Sequence, residues 1–467
     1  MEVRERPGTG QVSFPLPCGH DTEGVQMETL SLQGVRCFGE RQELPIRPVT
    51  LLVGENSAGK STVLAMVRAA WDIAYRRTEP DFNEEPFDLG GYDAIAYYHG
   101  GQGKRAHDFL IESRFRRPAF RSPSRARPPA PGRTASYHKV TGTFIERAGQ
   151  PFLSEWTSKK GDAMLRIRAD RDTFQVVLAR GDSVLLNESG LKLARGEPLD
   201  RLVSMSILQR VSKRGPKDVD DTMTTLLGML PGPLPGTLVP GEPRPIAGAP
   251  IRSKPVRTYN PKRETQEPEG SHVPMELATL HGTRPEEFEE LASALVKYGK
   301  DANLFSKLQV KRLGKKAGDP FQLLVAIDKH PFNLRDVGYG VSQVLPILVD
   351  TLTAPKGQTF LLQQPEVHLH PRAQAALGSL LVTQAATRRQ TFVVETHSDY
   401  LVDRVRMDIR DGRSELKAKD VVILYFERLG GRATVHPITI DDRGNLEKVP
   451  TGYRRFFLEE ERRLLGI

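Results

Sequence analysis

The chain has 467 residues, enough by length for about two or three domain-sized units. Hydrophobic residues make up 38% and charged residues 27%, which excludes both an integral membrane protein and wholesale disorder. Lys and Arg total 67 against 58 Asp and Glu, a net +9 that suits a polyanion such as nucleic acid or nucleotide phosphate, though an ordinary Arg-rich soluble surface fits it equally. Only Cys18 and Cys37 occur, so a disulfide framework is excluded and a reducing cytoplasm is expected. Cys18-Gly19-His20 is half a zinc pattern with no second pair nearby. No run approaches the roughly 20 apolar residues of a membrane span.

Residues 1–26 are polar, Gly/Pro-rich and unpatterned, and read as a disordered tail. From position 27, two strand-like runs lead into the apolar strand VTLLV at 49–53. A glycine-rich turn follows, then a helix-like run from Ser61 to Tyr75. Alternating segments between 107 and 190 predict an antiparallel meander. Within them, the stretch 116–133 holds six arginines, five prolines and no acidic residue, an extended basic arm that suits nucleic acid or a plain insertion. Residues 198–229 read as helical. The Pro/Gly-rich passage 231–274 is too long for a simple connection and predicts partial order against another element. Thr283, with Pro285 and Glu286 after it, predicts a capping-box helix start. Further on, the strand FQLLVAI (321–327), a helix from Val341, the strand QTFLL (358–362), a helix from Pro371 and the strand QTFVVET (390–396) alternate, the pattern of a parallel, doubly wound sheet. The predicted class is therefore α/β, with one sheet split between an N-terminal part (27–200) and a C-terminal part (319–467), and an inserted helical, Pro-rich region (201–318) between them.

Four stretches carry chemistry. Gly54-Glu55-Asn56-Ser57-Ala58-Gly59-Lys60-Ser61, followed by Thr62, is a full G-x-x-x-x-G-K-[ST] match between a strand and a helix. Backbone N–H groups of such a turn face the α- and β-phosphates of a nucleotide. Lys60 reaches the β/γ oxygens, and Ser61 is placed to ligate Mg²⁺. The strand QTFLL ends in Gln363-Gln364-Pro365-Glu366, where a phosphate-transferring ATPase places an acid for the Mg²⁺ shell and a base for the attacking water. The strand QTFVVET delivers Glu395, Thr396 and His397, and a histidine there is positioned to sense the γ-phosphate. Between these, Gly338, Gly340, Ser342 and Gln343 at a helix start form an anion-binding end.

As a set, GENSAGKST, GYGVSQVLPI, PEVHLHPRAQ and ETHSDYL resemble the ABC/SMC-like ATPases of the overcoming-lysogenization-defect (OLD) type. They look most like the prokaryotic AAA-family branch that includes ATPase subunits of Septu, PARIS and Gabija phage-defence systems. The resemblance covers most of 27–467. It implies a P-loop ABC-type head that binds ATP and Mg²⁺, with Ser61 and Gln363 in the metal shell and Gln364, Glu366 and His397 as candidate catalytic residues. Gly338, Gly340, Ser342 and Gln343 would then contact ATP held by a second subunit in a head-to-tail homodimer, or a higher assembly of such dimers. Gln363 and Gln364 stand where the family pattern has an acid and usually a catalytic Glu. This implies slow turnover, either intrinsic or produced by a trapping Glu-to-Gln replacement. Only 70 residues follow His397, too few for the appended TOPRIM nuclease domain of OLD proteins. The expected role is thus a sensor and scaffold for a separate effector, with no membrane partner. Direct DNA binding in repair or DNA maintenance is the alternative.

Overall fold

The computed structural model describes residues 25–76, 79–101, 104–117, 136–170, 173–192, 243–261, 265–316 and 318–465, with isolated positions between 222 and 229. The segment 118–135, which holds most of the basic arm, lies outside the described residues, as do Cys18, His20 and most of 198–229. Among the described residues the first elements are β1 (Gln26–Gln33) and β2 (Gln42–Pro45), and β3 (Val49–Gly54) leads into the glycine-rich turn expected to hold phosphate. The last two residues assigned to the tail belong to the fold, since Val25 is buried and Gln26 is already paired.

Six strands make the expected meander: β4 (Asp108–Arg117), β5 (Ser136–Arg147), β6 (Gln150–Lys160), β7 (Ala163–Ala169), β8 (Thr173–Arg180) and β9 (Ser183–Lys192). With β2 and β1 they form one antiparallel sheet in the order β2-β1-β4-β5-β6-β7-β8-β9. Two-residue connections at Ala148-Gly149, Gly161-Asp162 and Gly181-Asp182 set its register, and their glycines supply the positive φ that such turns require.

The second sheet assembles distant segments. It contains β10 (Ile246–Gly248), β14 (Thr359–Gln363), β15 (Thr391–Glu395), β16 (Val421–Leu429), β17 (Arg432–Ile440) and β18 (Leu446–Glu447), in the order β10-β14-β15-β3-β16-β17-β18. The pairs from β10 through β16 are parallel, and β17 and β18 close the edge antiparallel. The α/β class with a split sheet and an antiparallel subdomain is what the chain adopts. Order within the Pro/Gly-rich passage comes from Ile246–Gly248, which adds a parallel edge strand to β14.

Side chains of the central strands alternate between two cores, as a pleated sheet covered on both faces demands. Leu52, Leu361, Val393 and Leu424 face the helix Lys60–Tyr75 and the antiparallel sheet beyond it. Leu51, Phe360, Val394 and Ile423 face the helices Val273–Thr283, Pro285–Asp301, Tyr339–Thr353, Pro371–Arg388 and Asp399–Arg410. The helix Lys60–Tyr75 lies between two sheets, so almost all of it is buried, polar residues included. Of these, Asp72 receives both ends of the Arg244 fork, at 2.9 and 2.6 Å, and Arg244 also pairs with Glu84.

Two expectations are corrected. FQLLVAI does not join the parallel sheet: it is β12 (Phe321–Ile327), central in a separate antiparallel sheet between β11 (Lys307–Arg312) and β13 (His330–Asn333). The turn at Asp328-Lys329 has both φ angles positive, so it closes a tight hairpin, and local pairing captures the strand. Thr283 does not cap the helix Pro285–Asp301. It ends the preceding helix, and its hydroxyl donates to Thr279 O at 2.7 Å, which leaves Arg284 at the N-cap.

Candidate functional site

Parallel strands carry their C-terminal ends to one rim, and there β14, β15 and β3 deliver the residues singled out above. The loop 54–59 turns from β3 into the helix Lys60–Tyr75 with its N–H groups uncapped by any side chain. Two glycines are obligatory. Gly54 has φ 130° and a Cβ there would sit 2.3 Å from Phe426 O on β16; Gly59 has φ 98° and a Cβ would meet Cys37 Sγ at 2.6 Å. The loop is thereby pressed against β16 on one side and the turn after β1 on the other, and no residue with a side chain fits either position.

Lys60 is buried, and its ammonium donates to the carbonyls of Gly54 (2.9 Å) and Glu55 (2.6 Å), arching over the loop. Burial pulls its pKa down, while the charges of Glu395 and Glu55 oppose that shift. Ser61, the next residue, donates its hydroxyl to Glu395 Oε2 at 2.6 Å. Glu395 is the last residue of β15 and pairs in register with Gln363 on β14. Sequence reading placed Gln363 in the metal shell and gave Glu395 only the part of an alternative base, beside Glu366. The structure brings Glu395 against Ser61, a contact no local pattern announces.

The end of β14 turns sharply. Gln364 has φ 42° and its N–H donates to Glu395 O at 2.8 Å, tying the two strand ends together. Glu366 is buried, and its Oε1 accepts the backbone N–H of His397 at 2.7 Å. Burial pushes its pKa up, with that N–H opposing the shift. Its other oxygen meets no partner among the described residues, nor do the terminal nitrogens of Arg252. Arg252 is buried too, and burial brings its pKa down to about 10, with the Glu366 charge opposing. His397 itself is exposed at the rim. Partial burial and then the nearby Lys60 charge hold its imidazole below the usual histidine range, so it is neutral at neutral pH.

The glycine-rich helix start abuts the loop after β14. A Cβ at Gly340 would lie 3.1 Å from His368 O, and the Tyr339 and His368 rings are 5.9 Å apart. Gly338 and Tyr339 face outward, and a Cβ on Gly338 would meet nothing within 4 Å. Ser342 and Gln343 point inward. The Ser342 hydroxyl donates to Tyr339 O at 3.0 Å, and the Gln343 amide accepts from the Arg252 N–H at 3.3 Å.

Hard oxygen donors beside a phosphate loop suit Mg²⁺. The Ser61 hydroxyl spends its proton on Glu395, which leaves its oxygen lone pairs for a cation, so these residues fit the metal. Another candidate group does not. His272, Glu276 and Asp350 lie close together, but His272 Nδ1 accepts the Glu267 N–H at 3.2 Å and Nε2 is 2.9 Å from Asp350. An imidazole accepting at one nitrogen and donating at the other has no lone pair left for a metal. No helix among the described residues is long and apolar enough to cross a membrane.

Residues 260–403 match the family described as "AAA domain, putative AbiEii toxin, Type IV TA system". That stretch holds β11 to β15, the glycine-rich helix start and His397, and stops short of the phosphate loop. No curated protein matches the chain. Among solved structures, an SMC head bound to the C-winged helix domain of ScpA is 10% identical, with a TM-score of 0.40, over 88% of this chain and 97% of that one. The SMC head domain of Thermotoga maritima is 10% identical, with a TM-score of 0.36, over 88% and 98%. An Smc head with an extended coiled coil, bound to the C-terminal domain of ScpA and derived from Pyrococcus furiosus, is 10% identical, with a TM-score of 0.40, over 95% and 99%. Over residues 260–403, then, the chain is similar to an AAA domain.

Proposed function

We propose that this chain is an ABC/SMC-like ATP-binding protein whose ATP-closed, head-to-tail dimer acts as a sensor and scaffold for a separate effector, in anti-phage defence. The observation that carries the nucleotide reading is the phosphate loop: two sterically obligatory glycines, a buried Lys60 and a free helix N-terminus converge at the end of β3. A triphosphate would offer Lys60 better acceptors than the two carbonyls it now holds, and the helix end would add its positive dipole. Bound Mg²⁺ supplies charge to the phosphate oxygens; Ser61, oriented by Glu395, would help to hold it. His397, neutral and tied through its backbone to Glu366, would donate one hydrogen bond to the γ-phosphate. The toxin and toxin–antitoxin wording attached to the matched AAA family supports a role in which one chain licenses another's activity.

Lys60→Ala is expected to weaken ATP binding about 10- to 100-fold, since a charge-assisted hydrogen bond contributes roughly 1.5–3 kcal/mol. Isothermal titration of both proteins checks this, and equal affinities would remove the nucleotide assignment.

Dimerisation is tested at Gly338 rather than Ser342, because Ser342 is buried in its own chain and a charge there would disturb folding. Gly338 has φ −57° and open space around it, so Gly338→Arg costs the isolated chain little. The expected result is ATP binding retained with loss of the ATP-dependent rise in mass by light scattering. An unchanged mass increase would count against the head-to-tail dimer.

A further inference from the structure

We propose that Glu395, on β15, supplies the negative charge of the magnesium site that Gln363, on β14, lacks. This rests on the nucleotide reading above and names the residue pair, Ser61 and Glu395, through which that site would hold its cation.

The geometry favours Glu395 over its neighbour. β15 lies between β3 and β14, so its last residue stands nearer the phosphate loop than the last residue of β14. Glu395 and Gln363 are register partners, and a carboxylate at one strand end is one strand spacing, about 4.8 Å, from the other. The Ser61 hydroxyl has one proton, and it points at Glu395 Oε2. An ionised carboxylate only accepts, so the donor is fixed as Ser61 and the remaining lone pairs of Oγ are free for a cation. The strand end is held rigidly: Gln364 N–H donates to Glu395 O at 2.8 Å, and Thr396 N–H donates to Leu52 O at 3.1 Å. Little reorganisation is needed for the carboxylate to serve.

Charge supports the same assignment. Glu395 is 5% exposed, and a buried carboxylate persists only where cations or donors offset its desolvation. The Ser61 hydroxyl and the Lys60 ammonium are those partners here. A glutamine amide at Gln363 offers an oxygen but no charge, so it cannot balance a dication that is reluctant to shed its water. Glu366, the other buried carboxylate nearby, has one oxygen committed to the His397 N–H.

The test measures ATP affinity by isothermal titration in excess MgCl₂ and in EDTA, and takes the ratio as the magnesium response. Mn²⁺ binding with ATP, followed by electron paramagnetic resonance, provides an independent metal readout. Glu395→Gln is expected to cut the magnesium response and Mn²⁺ affinity by about tenfold or more, the usual loss when a metal ligand's orienting partner is removed. Gln363→Asp in the Glu395→Gln background is expected to restore much of it, because the charge returns one strand away. A magnesium response in Glu395→Gln equal to that of the unaltered chain overturns the proposal while leaving the nucleotide reading intact. Absence of ATP binding by the unaltered chain in both buffers overturns both. Should Glu395→Gln lose binding in EDTA as well, the double variant decides: recovery supports the proposal, and none refutes it.

Discussion

Arg244→Ala is expected to lower the free energy of unfolding by about 3 kcal/mol, the lower end of the cost of breaking a buried ion pair. Asp72 sits inside the helix that carries the phosphate loop, its side chain 3% exposed, and Arg244 meets it with both ends of its fork. Arg244 also pairs with Glu84, so one guanidinium ties the passage before β10 to the phosphate-loop helix and the loop after it. Among the described residues, Arg76 also forms an ion pair with Asp72, but at 3.9 Å and half-exposed it is too distant and too wet to compensate. The lower end is chosen because the Arg244 side chain is itself 26% exposed.

The pH dependence follows from the direction of the Asp72 shift. Burial raises its pKa above 3.8 even with Arg244 opposing, so the folded chain takes up a proton in the window above the unfolded value. Stability contributed by Asp72 is therefore greater below that window and falls as pH rises through the folded pKa. Removing Arg244 widens the window upward, so the defect of Arg244→Ala is expected to be largest at neutral pH and to shrink toward pH 5. Urea unfolding at both pH values, followed by circular dichroism, measures it. A loss under about 1 kcal/mol at neutral pH would show that Asp72 finds water or another partner.

Gln364→Glu is expected to raise ATP hydrolysis by at least about tenfold, a cautious fraction of the roughly 10²–10⁴ that general-base catalysis contributes. Gln364 follows the last residue of β14, partly exposed, with its backbone locked by the Glu395 carbonyl. An amide there can orient a water but cannot take its proton. A carboxylate in the same place can do both. The neighbouring Glu395 is bonded to Ser61, which removes it from competition as base. Steady-state phosphate release in Mg²⁺, with Lys60→Ala as the blank, provides the comparison. Brisk Lys60-dependent hydrolysis by the unaltered chain would place the base elsewhere, with Glu366 the first alternative because its Oε2 has no partner among the described residues.

The strand, glycine turn and helix at 49–75 were legible because their determinants are consecutive: an apolar strand, glycines at the two positions where Phe426 and Cys37 leave no room, and a helix start. Most of the meander was legible for the same reason, since the hairpins β5–β6, β6–β7 and β8–β9 carry their alternation and their turn residues within a few positions. Local reading failed where two local solutions competed. FQLLVAI has the pattern of a buried strand in either sheet, and the tight turn at Asp328-Lys329 assigned it to the small one. Thr283 suits a helix start and a helix end alike, and the hydroxyl acceptor at Thr279 settled it.

By itself, then, the sequence determined the α/β class, the strand–glycine turn–helix at 49–75 and the order of the motifs along the chain, all properties of neighbouring residues. Only the tertiary structure decided which acid stands beside the phosphate loop, because Ser61 and Glu395 are 334 positions apart and meet only when β15 inserts between β3 and β14. It likewise decided that Ser342 and Gln343 face inward while Gly338 faces out, and that Asp72 is held by an arginine 172 positions away. Hydrogen bonds and ion pairs act over a few ångströms, and separation along the chain gives no measure of that distance until the sheet order is set.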